Sequence, residues 1–420
     1  MSKTPQEIVE TYGKTVDISF TYGTNADEIG SIASEKINEV RYYFDGALYT
    51  SVMRCMEIKL TGNFSEKIKK DYLIRAMNIT VNSPDGDYFN ISLNNFHVAE
   101  EPEYNADQNL TSIITYDNMY LTMQPYDMAL DWTNGISLKS YLTSILGKLG
   151  IQYNAASLNL MANADKLITS EKFIDIENDD TESAYTYRDV LDEIAKASGV
   201  SFCYKNTITG SDIDSSQLYA VKPTESGIVI DESNLKSVTI GAEYGPVKGV
   251  VLSREPQEDN IYYPSGLTEN DTVVKISNVE IIEDAEDNTY RENFIEGICS
   301  NVVGTQYYLY DLDSFGILIL NFGDIFTLKA CDRVDGTIGE EKSYKTILMR
   351  TDITIGDGIS EKSKLEAPQA TSTDYSAAST TDKTLKKTML KVDKLNQKIT
   401  AYIADTDGKY SLLEQTVEGA

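Results

Sequence analysis

The chain has one histidine and one tryptophan in 420 residues, and its four cysteines lie far apart with no Cys-x-x-Cys pair. One imidazole cannot build a histidine-rich metal site, and a Ser-His-Asp triad would have to use His97. That residue lies between Phe96 and Val98 in an alternating segment, so it reads as a strand side chain. Cys55, Cys203, Cys299 and Cys331 lack the spacing of a zinc ribbon or disulfide framework and read as buried reduced thiols. No apolar run approaches the roughly 20 residues that span a membrane. No glycine-rich phosphate loop of the Walker or dinucleotide type is present. The N-terminus, MSKTPQEIVE, lacks the apolar centre of a secretory signal, and assembly in the cytoplasm is expected. No cofactor, metal or catalytic group is expected.

Basic residues are also scarce, 37 against 66 acidic ones for a net charge of −29. Nucleic-acid surfaces need clustered Lys and Arg to displace counterions, so a DNA- or RNA-binding function is disfavoured. An acidic surface keeps a protein soluble. Carboxylate pairs such as Glu258/Asp259 or Glu283/Asp284 have the chemistry of a glycosidase, but with 66 acids such pairings carry no specificity. Asp405, Asp407, Gly408 and Glu414 match four positions of a calcium loop, while Ile403 stands where the first carboxylate is required. The Asp407-Gly408 turn more simply ends a helix.

What is present is pattern. The length suits two or three domains. Residues 1–106 alternate apolar and polar over short runs, as at Met77–Val81 and Tyr88–Leu93, with a turn at Pro84-Asp85-Gly86, and predict a β-rich domain. Residues 107–225 carry two helical stripes. Leu138, Tyr141, Leu142, Ile145, Leu146 and Leu149 share one face closed by Gly150. Tyr187, Val190, Leu191, Ile194 and Ala195 share another, with Thr186 and Asp189 placed as a cap before Gly199. Extended sequence follows each, which makes this a mixed α/β domain. Residues 226–360 return to strand patterns, clearest at Ile317–Leu320, Ile325–Leu328 and Tyr344–Met349, with turns at Gly323-Asp324 and Asp335-Gly336. Residues 361–381 lose apolar periodicity and have a linker's composition. In residues 382–420, Leu385, Val392 and Ile399 recur every seven residues, with Leu395 and Tyr402 at the companion spacing, and predict a short coiled-coil seam up to Ala404. Three heptads also suit a surface helix packed on its own domain. The pattern is unfinished at Ala420, and a longer natural chain is expected. The fold class is therefore α+β and multidomain.

Three segments carry a resemblance. The stretch GAEYGPVKGVVLSREPQEDNIYY (Gly241–Tyr263) reads as a turn at Tyr244-Gly245-Pro246, a strand, a polar loop at Pro256 and two closing aromatics. Together with Ile114-Thr115-Tyr116-Asp117-Asn118-Met119 and Tyr187–Ala195 followed by Gly199, it resembles the tail-tip or baseplate hub family of tailed bacteriophages. The matches run in order from about Phe44 to Pro368.

The resemblance implies a homotrimer at the virion tail tip, with two barrel-like β domains per subunit, so that three copies present six similar surfaces to a tail tube. It implies as partners the tail tube, a distal tail protein ring, a tape-measure protein and downstream receptor-binding proteins. DNA would pass through without being bound, repelled by an acidic wall. The loop Arg254–Tyr263 is expected at an interface between subunits or domains, since Arg254, Glu255, Glu258 and Asp259 supply charge pairs and Tyr262 and Tyr263 contact area. A solvated hairpin tip is the plainer alternative. The 28 tyrosines suit partly wet protein contacts. A tail-associated cell-wall hydrolase with its lytic domain further on, and the hub of a phage-like bacteriocin or contractile injection particle, remain the alternatives.

Overall fold

The computed structural model describes residues 2–174, 185–210, 212–254, 259–277, 279–282, 288–316, 318–334, 337–356 and 358–365, and the short strands at 373–374, 402–404 and 410–412. Its dominant feature is a 13-stranded sheet into which both predicted β-rich regions feed. The N-terminal part contributes β1 (Thr15–Gly23), β2 (Glu28–Ile32), β3 (Ile37–Asp45), β4 (Arg54–Thr61), β5 (Leu73–Asn82), β6 (Tyr88–Val98), β7 (Glu103–Asn105) and β8 (Leu110–Tyr116). Alternation decides which side chains go inward. In β3, Val40, Tyr42 and Phe44 are buried and their neighbours are not, as period-2 patterning requires. β5 and β6 form the hairpin expected around Pro84-Asp85-Gly86, with Val81 opposite Phe89.

Beyond β3 the sheet continues through Arg350–Ile355, Ile359–Leu365, Tyr307–Ser314 and Leu235–Tyr244. Arg350 pairs with Asp45 and Ile355 with Val40, joining segments some three hundred positions apart. Arg41 fastens this seam with a two-pronged ion pair to Asp352, Nε to Oδ1 at 3.0 Å and Nη2 to Oδ2 at 2.7 Å. The two β-rich regions are thus one sheet. Neither region closes into the expected barrel among the described residues. The path ends in a strand with a single neighbour at each side, β2 at one and Leu235–Tyr244 at the other.

Among the described residues four α-helices pack on this frame. Helix α1 (Pro5–Glu10) starts with a Thr4–Glu7 capping box. Helix α2 (Leu138–Leu149) buries Leu138, Tyr141, Leu142, Ile145 and Leu146, and ends at Gly150 in the left-handed region, φ 69°. Helix α3 (Tyr187–Ser198) has the expected Thr186–Asp189 capping box, and Gly199 closes it at φ 59°. Helix α4 (Asn288–Val302) lies in the region predicted to be β-rich. Its stripe of Phe294, Ile295, Ile298, Cys299 and Val302 is buried against α3 and the strand Gly249–Arg254. The expected strand at Ile317–Leu320 is also not one. Ile317 lies outside the described residues, Leu318 and Ile319 form a buried turn, and Leu320 precedes the strand Asp324–Val334. An apolar run without alternation suits a buried turn as well as a strand.

Smaller sheets complete the fold. Thr224–Ile230 runs parallel to Asp324–Val334, which pairs antiparallel with Thr337–Ile347. Asp259–Tyr263, Gly249–Arg254, Val273–Ser277 and Thr373–Asp374 form a four-stranded sheet in that order. The coiled-coil seam fares differently. Leu385, Val392, Leu395 and Ile399 lie outside the described residues, whereas Tyr402 begins a strand, Tyr402–Ala404, paired with Tyr410–Leu412. Tyr and Ile favour extended backbone, which suits the strand at Tyr402–Ala404. That strand also holds Ile403, the unsuited first position of the calcium pattern.

Candidate interaction site

The signature stretch Gly241–Tyr263 is the joint where the chain leaves the large sheet for the four-stranded one. Tyr244 ends the edge strand opposite Tyr307, their rings 5.0 Å apart. Gly245 then turns at φ 98°, where a Cβ would stand 2.4 Å from the Thr305 carbonyl oxygen. Only glycine fits that backbone and that gap. Val247 donates its N–H to Thr305 at 2.9 Å and accepts from Gly304 at 2.8 Å, which ties the joint to the end of α4. At Gly249 an added Cβ would meet the Tyr263 carbonyl oxygen at 2.2 Å and Leu267 Cδ1 at 2.4 Å. Gly249 lets the signature's two halves lie against each other, and Gly245 lets the joint approach the segment after α4.

The halves form a hairpin with Val250 opposite Tyr263, Val251 opposite Tyr262 and Arg254 opposite Asp259. Tyr262 and Tyr263 are half-buried. Tyr263 donates its hydroxyl to Glu296 Oε1 on α4 at 2.8 Å, so part of its capacity is used within the subunit. Glu255 and Glu258 lie outside the described residues, as do the side chains of Arg254 and Asp259. Asp259–Tyr263 is itself the outer strand of its sheet, and that edge is free among the described residues.

A second constellation escaped sequence reasoning. Arg54 at the start of β4 is buried, and its Nε donates to Asp117 Oδ2 at 2.9 Å while its backbone N–H donates to the same oxygen at 3.1 Å. Asp117 Oδ1 accepts from the Met119 amide at 3.0 Å, and Arg54 Nη1 donates to Asn206 Oδ1 at 2.6 Å. The guanidinium also lies 5.3 Å from the Phe96 ring centroid and 5.6 Å from that of Tyr204. Burial lifts the Asp117 carboxyl above the usual aspartate range, and Arg54 with the two amides opposes part of that rise. Asn206 donates its amide N–H to Asn321 Oδ1 at 2.8 Å, so the network reaches all three predicted domains. Asp117 stood in one of the family-like segments; Arg54 carried no local signal.

The remaining candidates for chemistry are accounted for structurally. His97 is the penultimate residue of β6, buried, with Nε2 2.7 Å from Asn118 Oδ1, and burial lowers its pKa. It is therefore neutral at pH 7. Cys55, Cys203 and Cys299 are buried free thiols and Cys331 is partly exposed. Burial pushes the Cys55 and Cys203 thiols up to about 12, which keeps both protonated and unreactive. Among the described residues no group of three or more His, Cys, Asp and Glu side chains could hold a metal ion, and no helix is long and apolar enough to cross a membrane.

No protein-family model matches the sequence, and no curated protein matches it either. Solved structures do resemble the fold, and those described are tail, baseplate or VgrG-complex proteins. Prophage tail protein gp18 from Listeria monocytogenes is 12% identical with a TM-score of 0.45, over 90% of this chain and 99% of its own. A tail protein from Neisseria meningitidis is 10% identical with a TM-score of 0.46, over 84% and 96%. The 43 kDa tail protein of prophage MuSo2 from Shewanella oneidensis is 11% identical with a TM-score of 0.43, over 85% and 98%.

Proposed function

We propose that this chain is a structural protein of a phage tail: a trimeric hub that closes the distal end of the tail tube and links the distal tail ring and tape measure to host-facing elements. The observation that carries the reading is the open 13-stranded sheet. A sheet with a free strand at each side exposes two rows of unpaired backbone N–H and C=O groups. Such edges are templates for pairing with another chain. When one edge of a copy meets the other edge of the next, the contact is head-to-tail, and such a contact makes a ring when its rotation closes after a whole number of copies. Three copies is the number that the sequence resemblance implies, because each chain supplies two β-rich units. The deficit of basic residues suits a ring whose lumen passes DNA without holding it.

The edges can be tested directly. Ile29 on β2 is half exposed and Val238 lies midway along Leu235–Tyr244, half-buried. A lysine at either position places charge on an edge strand, the device by which natural sheets prevent edge pairing. Ile29→Lys and Val238→Lys are expected to stop self-association and particle assembly while circular dichroism of the monomer is unchanged. Normal assembly by both variants contradicts the ring.

A further inference from the structure

Asn134-Gly135 is the one asparagine-glycine pair in the chain. It ends a turn that leads from Trp132 into the two-residue strand Ile136–Ser137 and so into α2. None of the contacts above uses it, and three observations give it a chemistry of its own.

The first is an untethered carboxamide. Asn134 is exposed, and its side chain makes no hydrogen bond among the described residues. The carboxamides of Asn163 and Asn301, by contrast, each donate to two backbone carbonyls. The second is an unhindered neighbour: Gly135 has no side chain to screen its backbone nitrogen, and its φ of 69° lies where glycine is favoured. The third is a light restraint. Gly135 donates its N–H to the Trp132 carbonyl at 3.0 Å, and the two residues between them are exposed. A solvated bond across a single turn opens locally, without unfolding of the chain.

We propose that Asn134 is a modification site, converting spontaneously to a mixture of aspartate and isoaspartate with water as the co-reactant. Loss of the Gly135 amide proton to hydroxide leaves the nitrogen free to attack Asn134 Cγ. The bond from Cγ to the side-chain nitrogen breaks, that nitrogen takes a proton from water and leaves as ammonia, and a five-membered succinimide remains. Water then opens the ring. Attack at Cγ gives aspartate on an ordinary backbone, and attack at the main-chain carbonyl carbon gives isoaspartate, with the chain running through the side chain. No oxidation or reduction is involved: one amide and one water become one acid and one ammonia. The bond to Trp132 acts as a brake, because it holds the proton that must leave.

The two products differ because the turn has room for a charge but not for a longer backbone. A Cβ on Gly135 would stand 3.2 Å from the Ile168 carbonyl oxygen and 3.3 Å from Leu167 Cβ, in the strand that pairs with Ile136–Ser137. Isoaspartate inserts a methylene into the main chain here and displaces Ser137, the N-cap of α2. Aspartate only adds a carboxylate near a helix start that has no acid in its first turn, where negative charge is favourable. The inference is independent of the hub reading, because it concerns one turn of the monomer.

The test is incubation of the full chain at mildly alkaline pH, native and in urea, beside Asn134→Gln, with peptide mapping by mass spectrometry and chromatographic separation of the two acids. In the native chain Asn134 is expected to convert ahead of every other asparagine, about tenfold more slowly than in urea, the factor that one hydrogen bond supplies. Asn134→Gln keeps the exposed polar side chain and should give almost no product, because glutamine has to close a six-membered ring. The isolated isoaspartate form should melt below the parent and the aspartate form should not. A native chain unchanged at Asn134 while the urea-treated chain converts overturns the proposal, as does earlier conversion of another asparagine. An isoaspartate form as stable as the parent overturns the coupling to α2.

Discussion

Arg54 Nε lies 2.9 Å from Asp117 Oδ2, with the two side chains 2% and 1% exposed, at the point where β4, the end of β8 and the middle region meet. A buried pair of this kind contributes little net stability against an apolar replacement, but removing one member strands the other charge. Arg54→Met is therefore expected to destabilise the protein by about 3–5 kcal/mol. The double variant Arg54→Met/Asp117→Leu should recover part of that loss. Urea unfolding of the four members of the cycle measures both, and a double variant as unstable as the sum of the singles contradicts the pairing.

Asp324 gives a pH signature. Burial raises its pKa to about 6, against the one amide it accepts from, Asn321 N at 2.8 Å. A carboxyl raised above its unfolded value of about 3.9 binds its proton more tightly in the native state, so stability falls as pH rises from 4 through 6. Asp324→Asn keeps the acceptor and removes the charge. It should stabilise the protein by about 1–2 kcal/mol at pH 7.5, after discounting for partial exposure, and by almost nothing at pH 4. Thermal melts at the two values decide the point, and an equal gain at both would assign the effect to packing.

The tyrosines of the hairpin separate an internal role from an external one. Tyr263→Phe loses only the solvent-exposed bond to Glu296 and should leave stability almost unchanged. Tyr262→Ala/Tyr263→Ala should leave a folded monomer and impair assembly, if the free edge Asp259–Tyr263 meets another chain. Sedimentation of the double variant beside the parent checks this, and unchanged assembly removes the hairpin from the interface.

Legibility followed locality. Helices α2 and α3 were readable because their stripes, caps and closing glycines all lie within about a dozen residues. The hairpin at Pro84-Asp85-Gly86 was readable for the same reason. Helix α4 was not, because its buried stripe was read within a region of strand patterns. The pairing of Ile37–Asp45 with Arg350–Ile355 leaves no trace in either segment, since alternation says that a strand has one buried face and says nothing of its neighbour. Arg54 and Asp117 are 63 residues apart, and an arginine between Met53 and Cys55 has no local mark of burial. The glycines of Gly241–Tyr263 were visible, but their reason, the close approach of Thr305 and Tyr263, is tertiary.

The central claim, a closed ring of three chains, is tested most directly by the mass of the assembled species. Light scattering at tens of micromolar, joined to density of the tail tip in the intact particle, should give three times the chain mass of 46.7 kDa and a threefold axis. A stable monomer or dimer in solution together with a tail tip lacking threefold symmetry would contradict it.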